Sequence, residues 1–364
     1  MPSQIKDYAD RILAAAADKT PLRWRGGGTK DFYGQALVGE IVDTRPLAGI
    51  RAYEPSELVV TVGAGTPLAE LEAVLAEQGQ CLPFEPPHFA HLAHPSSGAT
   101  VGGMVAAGLA GPSRAAVGSV RDFVLGLELL NGRGEHLVFG GQVMKNVAGY
   151  DVSRMLAGSM GTLGLITSVS LKVLPVAPAQ ASLRFELDSA TALQRLNAWA
   201  GQPLPLNASC CLDGVLTVRL RGAKAAVQAA IDRMGGELLP EVEANALWGA
   251  LREQTHPFFA LTGEDSLWRV CVPDTTPPLG TGQRCLIEWG GAQRWYKLTP
   301  QDAPDTAAPL RERAQQWGGH ATRFRGHSAL PVFTPASEVL LRIQRDLQKQ
   351  FDPAGIFCRQ RLEA

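Results

Sequence analysis

Two spacings of apolar residues run through this chain, and the elements change where the spacing changes. Ile5 to Asp18 repeats apolar residues at helical intervals. "ELVVTVG" then reads as a strand, and "TPLAELEAVLAEQG" as a helix with Thr66 as N-cap, Pro67 at the first helical position and Gly79 closing it. "FVLGLELL" and "EHLVF" flank Asn131-Gly132, a hairpin signal. A helix through "VAGYDVSRMLAG" and a strand in "LGLITSVSLKVLP" complete this half.

After "VLPVAPAQAS", a linker in which Pro175 and Pro178 end a strand, the rhythm differs. Strand "SLRFEL" leads to a helix from Ser189, a hairpin around Asp213-Gly214 and the helix "AKAAVQAAIDRMGG". A second hairpin around Gly290-Gly291 and helices near 306–317 and 336–350 follow. That order predicts an antiparallel sheet backed by helices, so the chain as a whole is α+β. A length of 364 residues also exceeds what one hydrophobic core fills, about 250 to 300 residues, so two units are expected.

Composition narrows the partners. A formal charge of −1 leaves no field to hold nucleic acid, and the basic and aromatic residues of "GGAQRWYKL" lie on a predicted strand where Trp295 and Leu298 suit a core. None of the six cysteines forms a C-x-x-C pair, so any iron–sulfur centre belongs to another chain. Charged residues stand where a signal peptide would have its apolar core, which favours the cytoplasm. Pro95 to Ser113 is uncharged, but its glycines, serines and prolines suit a loop entering a small-residue helix rather than a membrane span.

Glycine gives the strongest chemical signal. Of 39 glycines, 24 fall in the first 164 residues, which places ligand contact with bare backbone in that half. "RGGGTK" is not a P-loop, because Thr29 precedes Lys30 and the upstream glycine is missing. "VGAGTPL" follows a strand and opens a helix, with Glu85 downstream, but Leu68 stands where a dinucleotide fingerprint needs its third glycine. Three clusters within one predicted domain, "RGGGTK", "SSGATVGGMVAAGLAG" and "AGSMGTLGLIT", instead suggest several backbone amide nests around one pyrophosphate.

With "FEPPHFA", "GSVRDFVLGLELLNGRGE" and "VMKNVAGYDVSRMLAGSMGTLGLITSVSLKVLP", these stretches resemble the vanillyl-alcohol oxidase type (PCMH-type) of FAD-binding domain, and within it the FAD-binding subunits of bacterial glycolate oxidases. The resemblance covers residues 1–178 and the tail "FDPAGIFCRQRL". It implies a two-part FAD-binding domain over 1–178, an α+β cap domain over 179–350, and a C-terminal tail, 351–364, returning to the FAD domain. By the same resemblance Gly26, Gly27, Gly28 and Thr29 form the first pyrophosphate loop, and Gly98, Thr100, Gly102 and Gly103 line pyrophosphate and flavin. Gly158, Thr162, Gly164 and Ile166 meet the adenosine end. Thr29 occupies the place where covalent family members carry histidine, so non-covalent FAD is expected.

Other residues invite weaker readings. His88, His91 and His94 share a three-residue spacing, but prolines 86, 87 and 95 break any helix and no further ligand lies in the stretch. Lys145, Asn146, Tyr150 and Asp151 are candidates to orient flavin or substrate, or a helix start. Arg323, Arg325 and His327 offer a carboxylate clamp and a base, although an exposed strand would look the same. The metal-binding segment of related catalytic subunits is absent.

The resemblance implies an FAD-dependent oxidoreductase subunit working with a second flavoprotein and an iron–sulfur subunit on a small 2-hydroxy acid, reaching a membrane only through partners. Two alternatives stay open: a self-sufficient 2-hydroxy-acid dehydrogenase, and an assembly subunit with a vestigial FAD fold. The residues by themselves support a ligand bearing a pyrophosphate.

Overall fold

The computed structural model describes residues 3–93, 98–141 and 151–362, the side chains of 303–306 excepted. Packing divides the chain into a first unit, Met1–Leu109 with Ser119–Pro175 and Pro335–Ala364, and a second, Ala110–Gly118 with Val176–Thr334. The last helix therefore packs with the first unit, not with the region ending at 350, and a short excursion after residue 109 packs with the second.

In the first unit, α1 (Ser3–Asp18) buries Ile5, Ala9, Ile12 and Ala15, a stripe at helical spacing. The stripe joins a core with Leu22, Val42, Leu130, Leu165 and Phe357. Two parallel strands, β1 (Leu22–Arg25) and β2 (Glu40–Asp43), form one small sheet. The larger sheet runs in the order β3 (Ile50–Glu54), β4 (Val59–Gly63), β8 (Leu165–Lys172), β6 (Val124–Leu130) and β7 (His136–Gly140), every pair antiparallel. Central β8 is buried from Leu165 to Leu171. The short strands β5 (Gln80–Cys81) and β9 (Leu174–Pro175) pair with each other.

Helix α2 (Leu68–Glu77) starts later than the pattern predicts, with Pro67 in the N-cap position. Thr66 does not cap it. Its buried hydroxyl instead donates to Gly63 O at 2.8 Å and accepts from Gly49 N at 2.9 Å, so local turn closure takes the group that a helix end would have used. Helices α3 (Val101–Ala107), α4 (Arg114–Val117) and α5 (Val120–Phe123) follow, α4 within the excursion. Between β6 and β7 the predicted hairpin closes as Asn131 Oδ1 accepts from Arg133 N and Glu135 N. Asp151 caps α6 (Val152–Leu156) by accepting from Arg154 N.

The second unit strings together β10 (Ala179–Glu186), α7 (Ser189–Ala200), β11 (Leu206–Leu212), β12 (Val215–Gly222), α8 (Lys224–Met234), β13 (Glu237–Leu238) and α9 (Glu241–Glu253). Then come β14 (Ser266–Cys271), β15 (Cys285–Glu288), β16 (Gln293–Leu298), α10 (Ala303–Gln316) and β17 (His320–Gly326). Its eight strands lie in the order β13-β10-β12-β11-β15-β16-β14-β17, all antiparallel. Both predicted hairpins are present. Helices α7 and α8 pack on Leu183, Val218, Leu220 and Ile287, and α10 on Trp268, Val270 and Tyr296, so these three share one face of the sheet, while α9 meets the other through Trp248 and Ser182.

The chain returns to the first unit as α11 (Glu338–Phe351). Beyond it, the buried Asp352 carboxylate accepts from Gly355 N, Ile356 N and Phe357 N, and Ile356 O accepts from Leu22 N. The C-terminal segment is thereby fastened beside β1, the strand that runs into the first glycine cluster.

Candidate functional site

The first glycine run leaves β1 and is pressed against residues 98–100. A Cβ added at Gly27 would overlap the Gly98 carbonyl oxygen, and one at Gly26 would overlap the Thr100 hydroxyl. Only glycine admits that approach. Gly28 adopts φ +72°, which turns the run away from the strand direction. Among the described residues, the backbone N–H groups of Gly26, Gly27, Gly28 and Thr29 donate to no protein acceptor, although Gly27 and Thr29 are buried. Consecutive unpaired amides in a turn are what an anion binds.

Thr100 N-caps α3, its hydroxyl accepting from Gly103 N at 3.2 Å. The start of α3 is held against the turn after β4: Val101 N donates to Thr66 O and Gly102 N to Ala64 O, and a Cβ on Gly102 would lie 2.7 Å from Ala64 Cβ. Its far end receives the third cluster, where Gly158 N donates to Val105 O at 2.9 Å and Met160 N to Ala106 O at 2.8 Å. The three clusters thus meet through α3.

They share one cavity of about 110 Å³. Gly26, Gly27, Gly28, Thr29, Thr100 and Gly103 line it. Gly98, Gly102, Gly158, Thr162, Gly164 and Ile166 do not. Gly98 and Gly102 shape the close approaches just described, Thr162 turns its hydroxyl onto Ser159 O at 2.8 Å, Gly164 (φ +148°) lies against Leu130 O, and Ile166 is buried in β8. The third cluster contributes Met160 to the lining instead.

Charge in the cavity is supplied by residues that the glycine pattern did not reveal: Arg25, Lys30 and Arg361 against Asp31. Asp31 pairs with Arg25 at 2.8 Å, and Lys30 Nζ stands 3.2 Å from Thr29 Oγ1. Arg361, only 4% exposed, donates to Asp31 O at 2.8 Å and also to Gln35 O. Burial pulls its pKa below the usual arginine value, the cost of a cation held out of water. Three cations against one carboxylate, with a row of bare amides, fit a diphosphate group.

The remaining candidates are not gathered here. Lys145, Asn146, Tyr150 and His94 lie outside the described residues, and Asp151 serves as the α6 cap. His88 Nε2 sits 2.9 Å from Glu72 Oε2. Among the described residues no group of three metal-ligating side chains occurs.

In the second unit, Arg323 and Arg325 do not form a clamp. A register shift pairs Arg323 with Trp268 and Arg325 with Leu267, adjacent residues of β14 whose side chains point to opposite faces. Arg323 donates to Gly326 O at 2.7 Å and Arg325 to Phe259 O at 3.0 Å, while His327 is exposed. Trp295 and Leu298 are core residues. A carboxyl that the sequence gave no reason to single out, Glu288, lies buried with Oε2 accepting from Trp295 Nε1 at 2.7 Å and Gln293 Nε2 at 3.1 Å. Desolvation pushes its pKa up to about 7.

Comparison with known proteins agrees with this geometry. Residues 1–140 match the family described as FAD binding domain. Glycolate oxidase subunit GlcE of Escherichia coli (strain K12) is 45% identical over 362 residues, covering 98% of each chain. D-lactate dehydrogenase of Archaeoglobus fulgidus is 30% identical over 48% of this chain and 38% of its own length, and glycolate oxidase subunit GlcD of Bacillus subtilis (strain 168) is 32% identical over 46% and 35%. An alkyldihydroxyacetonephosphate synthase structure superimposes with a TM-score of 0.66 at 14% identity over 96% of this chain and 74% of its own, a likeness of fold. The chain belongs to the glycolate oxidase GlcE subunit family, and its first part is an FAD-binding domain. No helix among the described residues is long and apolar enough to cross a membrane.

Proposed function

We propose, from that membership, that this chain is the FAD-carrying GlcE-type subunit of a glycolate oxidase complex, bound non-covalently to its cofactor and passing electrons from a 2-hydroxy acid toward an iron–sulfur partner. The observation that carries the reading is the convergence of three glycine clusters on one cationic cavity with unpaired amides. FAD supplies the acceptor for the hydride that leaves the hydroxyl-bearing carbon.

The chain's own residues bind and orient. The amides of Gly26–Thr29, with Thr100 and Gly103, would hold the diphosphate, and Arg25, Lys30 and Arg361 would balance its charge. Gly98 and Gly102 keep these loops close, while Gly158, Thr162, Gly164 and Ile166 set the backbone on which the adenosine end would lie. Thr29 lacks the imidazole nitrogen that a histidine would offer for a flavin bond, which supports a dissociable cofactor. The split of Arg323 from Arg325 favours a subunit that depends on partners over a self-sufficient dehydrogenase. The complex would work at the cytoplasmic side of the inner membrane, attached through those partners.

The test is the visible spectrum of the purified chain before and after denaturation. A yellow protein that releases free FAD into the supernatant is expected. Colour retained on the precipitated polypeptide would overturn non-covalent binding, and a protein that stays colourless when mixed with FAD and desalted would overturn cofactor binding altogether.

A further inference from the structure

Directly after α3 the chain makes the excursion Ala110–Gly118, which packs within the second unit before the chain returns at Ser119. Besides the packing of α4 on β11, a side-chain fastening comes from Trp289. Trp289 Nε1 donates to Gly111 O at 3.0 Å, and the Arg114 guanidinium lies 4.6 Å from the centroid of the Trp289 ring. The indole is buried, and Ser113 of the excursion is fully so.

Trp289 holds this place at φ +54°, a left-handed conformation that is unusual for a bulky side chain, and it opens the turn formed with Gly290 (φ +68°) and Gly291 (φ +113°). Gly290 N is tied to Ser209 Oγ at 2.9 Å. Such a backbone persists only where its surroundings over-determine it. Here they do so through the indole, whose hydrogen-bond acceptor and stacked cation both come from the excursion.

The excursion is a short covalent step from the cavity. Ala107, which lines it, and Gly111, which accepts the indole N–H, are separated only by Gly108, Leu109 and Ala110. We propose that Trp289 is a positioning residue for the cofactor: by fastening Ala110–Gly118 it fixes the C-terminal end of α3, and with it the diphosphate-binding lining, from outside the FAD-binding part of the chain. This rests on the FAD reading above.

The experiment compares two substitutions that cause the same chemical loss. Trp289→Phe keeps a ring but removes the donor to Gly111 O. Trp248→Phe removes another buried indole donor of the second unit, whose acceptor, Ser182 Oγ at 2.9 Å, belongs to β10 and not to the excursion. Full-length apoproteins are titrated with FAD, and trypsin cleavage after Arg114 is followed with and without the cofactor. Trp289→Phe should weaken FAD binding by roughly five- to tenfold and speed cleavage at Arg114, with added FAD slowing that cleavage in the wild type. Trp248→Phe should leave FAD affinity within about twofold of wild type. Arg114→Gln should shift affinity in the same direction as Trp289→Phe, by less. Equal FAD loss in both tryptophan variants, or unchanged affinity in Trp289→Phe, overturns the positioning role. A wild-type chain that takes up no FAD overturns the cofactor reading along with it. Should Trp289→Phe fail to fold, Arg114→Gln, which abolishes the trypsin site, decides by FAD affinity alone: unchanged affinity sinks the proposal.

Discussion

The two units build with opposite materials. In the first, the candidate site is made where side chains are missing: Gly26 and Gly27 approach residues 98–100 so closely that a methyl group would collide, and backbone amides face the cavity. In the second, the polar interior is made by side chains, with buried Arg219, Glu288, Gln293 and Arg294 among the strands of one sheet. A site made of backbone depends on what each residue lacks. A site made of side chains depends on which face each residue reaches, and strand register decides that.

The same substitution should therefore have opposite signs in the two units. Gly27→Ala places a Cβ in the Gly98 carbonyl, a backbone atom that cannot rotate away, and should abolish FAD retention on desalting and destabilise the first unit by about 3 kcal/mol. Gly249→Ala, on the exposed side of α9 with nothing near its Cβ, should stabilise by about 0.5 to 1 kcal/mol through helix propensity. Denaturant melts read the stability, and flavin absorbance after desalting reads the cofactor. An unchanged flavin content in Gly27→Ala would break the contrast.

The next effect belongs to the second unit alone and appears as a pH dependence. Glu288 has its folded pKa raised from 4.5 to about 7, chiefly by burial. The native state thus keeps a proton that the unfolded chain gives up from pH 4.5 upward. The associated stability is fully present below pH 4.5 and is lost as pH rises through 7, with a limit on the order of 3 kcal/mol. Glu288→Gln should flatten the stability profile between pH 5 and 8 and raise stability at pH 8 relative to wild type. A wild-type profile that is already flat across that window would show that Glu288 ionises at no cost.

This contrast also explains how far the sequence could be read. Glycine clusters are local, so the cavity loops at 26–29 and 100–103 were legible, as were the three hairpins, whose turns carry Asn-Gly, Asp-Gly and Gly-Gly, and most of the longer helices, though not α9. Arg361 was not legible as part of the lining, because only the folding-back of the C-terminal segment, through Asp352 and Ile356, brings it beside Asp31. Strand β14 escaped because "SLWRVC" is buried on nearly every residue and shows no alternation. Thr66 was misassigned for a different reason: a hydroxyl next to a helix start satisfies a turn as readily as a cap, and proline at 67 does not decide between them.

The smallest expected effect tests the register itself. "TRFRG" places two arginines at the spacing that, in a regular strand, puts both on one face, where they could grip a carboxylate as a unit. The shift between Leu267 and Trp268 separates them: Arg323 shares a face with Trp268, over whose ring the Arg311 guanidinium stands, while Arg325 reaches Phe259 O. Burial lowers the pKa of each arginine, and neither shift is caused by the other. Arg323→Gln and Arg325→Gln should each change stability by about 1 kcal/mol or less, and a double-mutant cycle should close to within about 0.5 kcal/mol, as for residues without a shared partner. A coupling of 1 kcal/mol or more, or a joint loss of glycolate binding that neither single variant shows, would mean the two side chains meet after all and that β17 is not bulged where the register shifts.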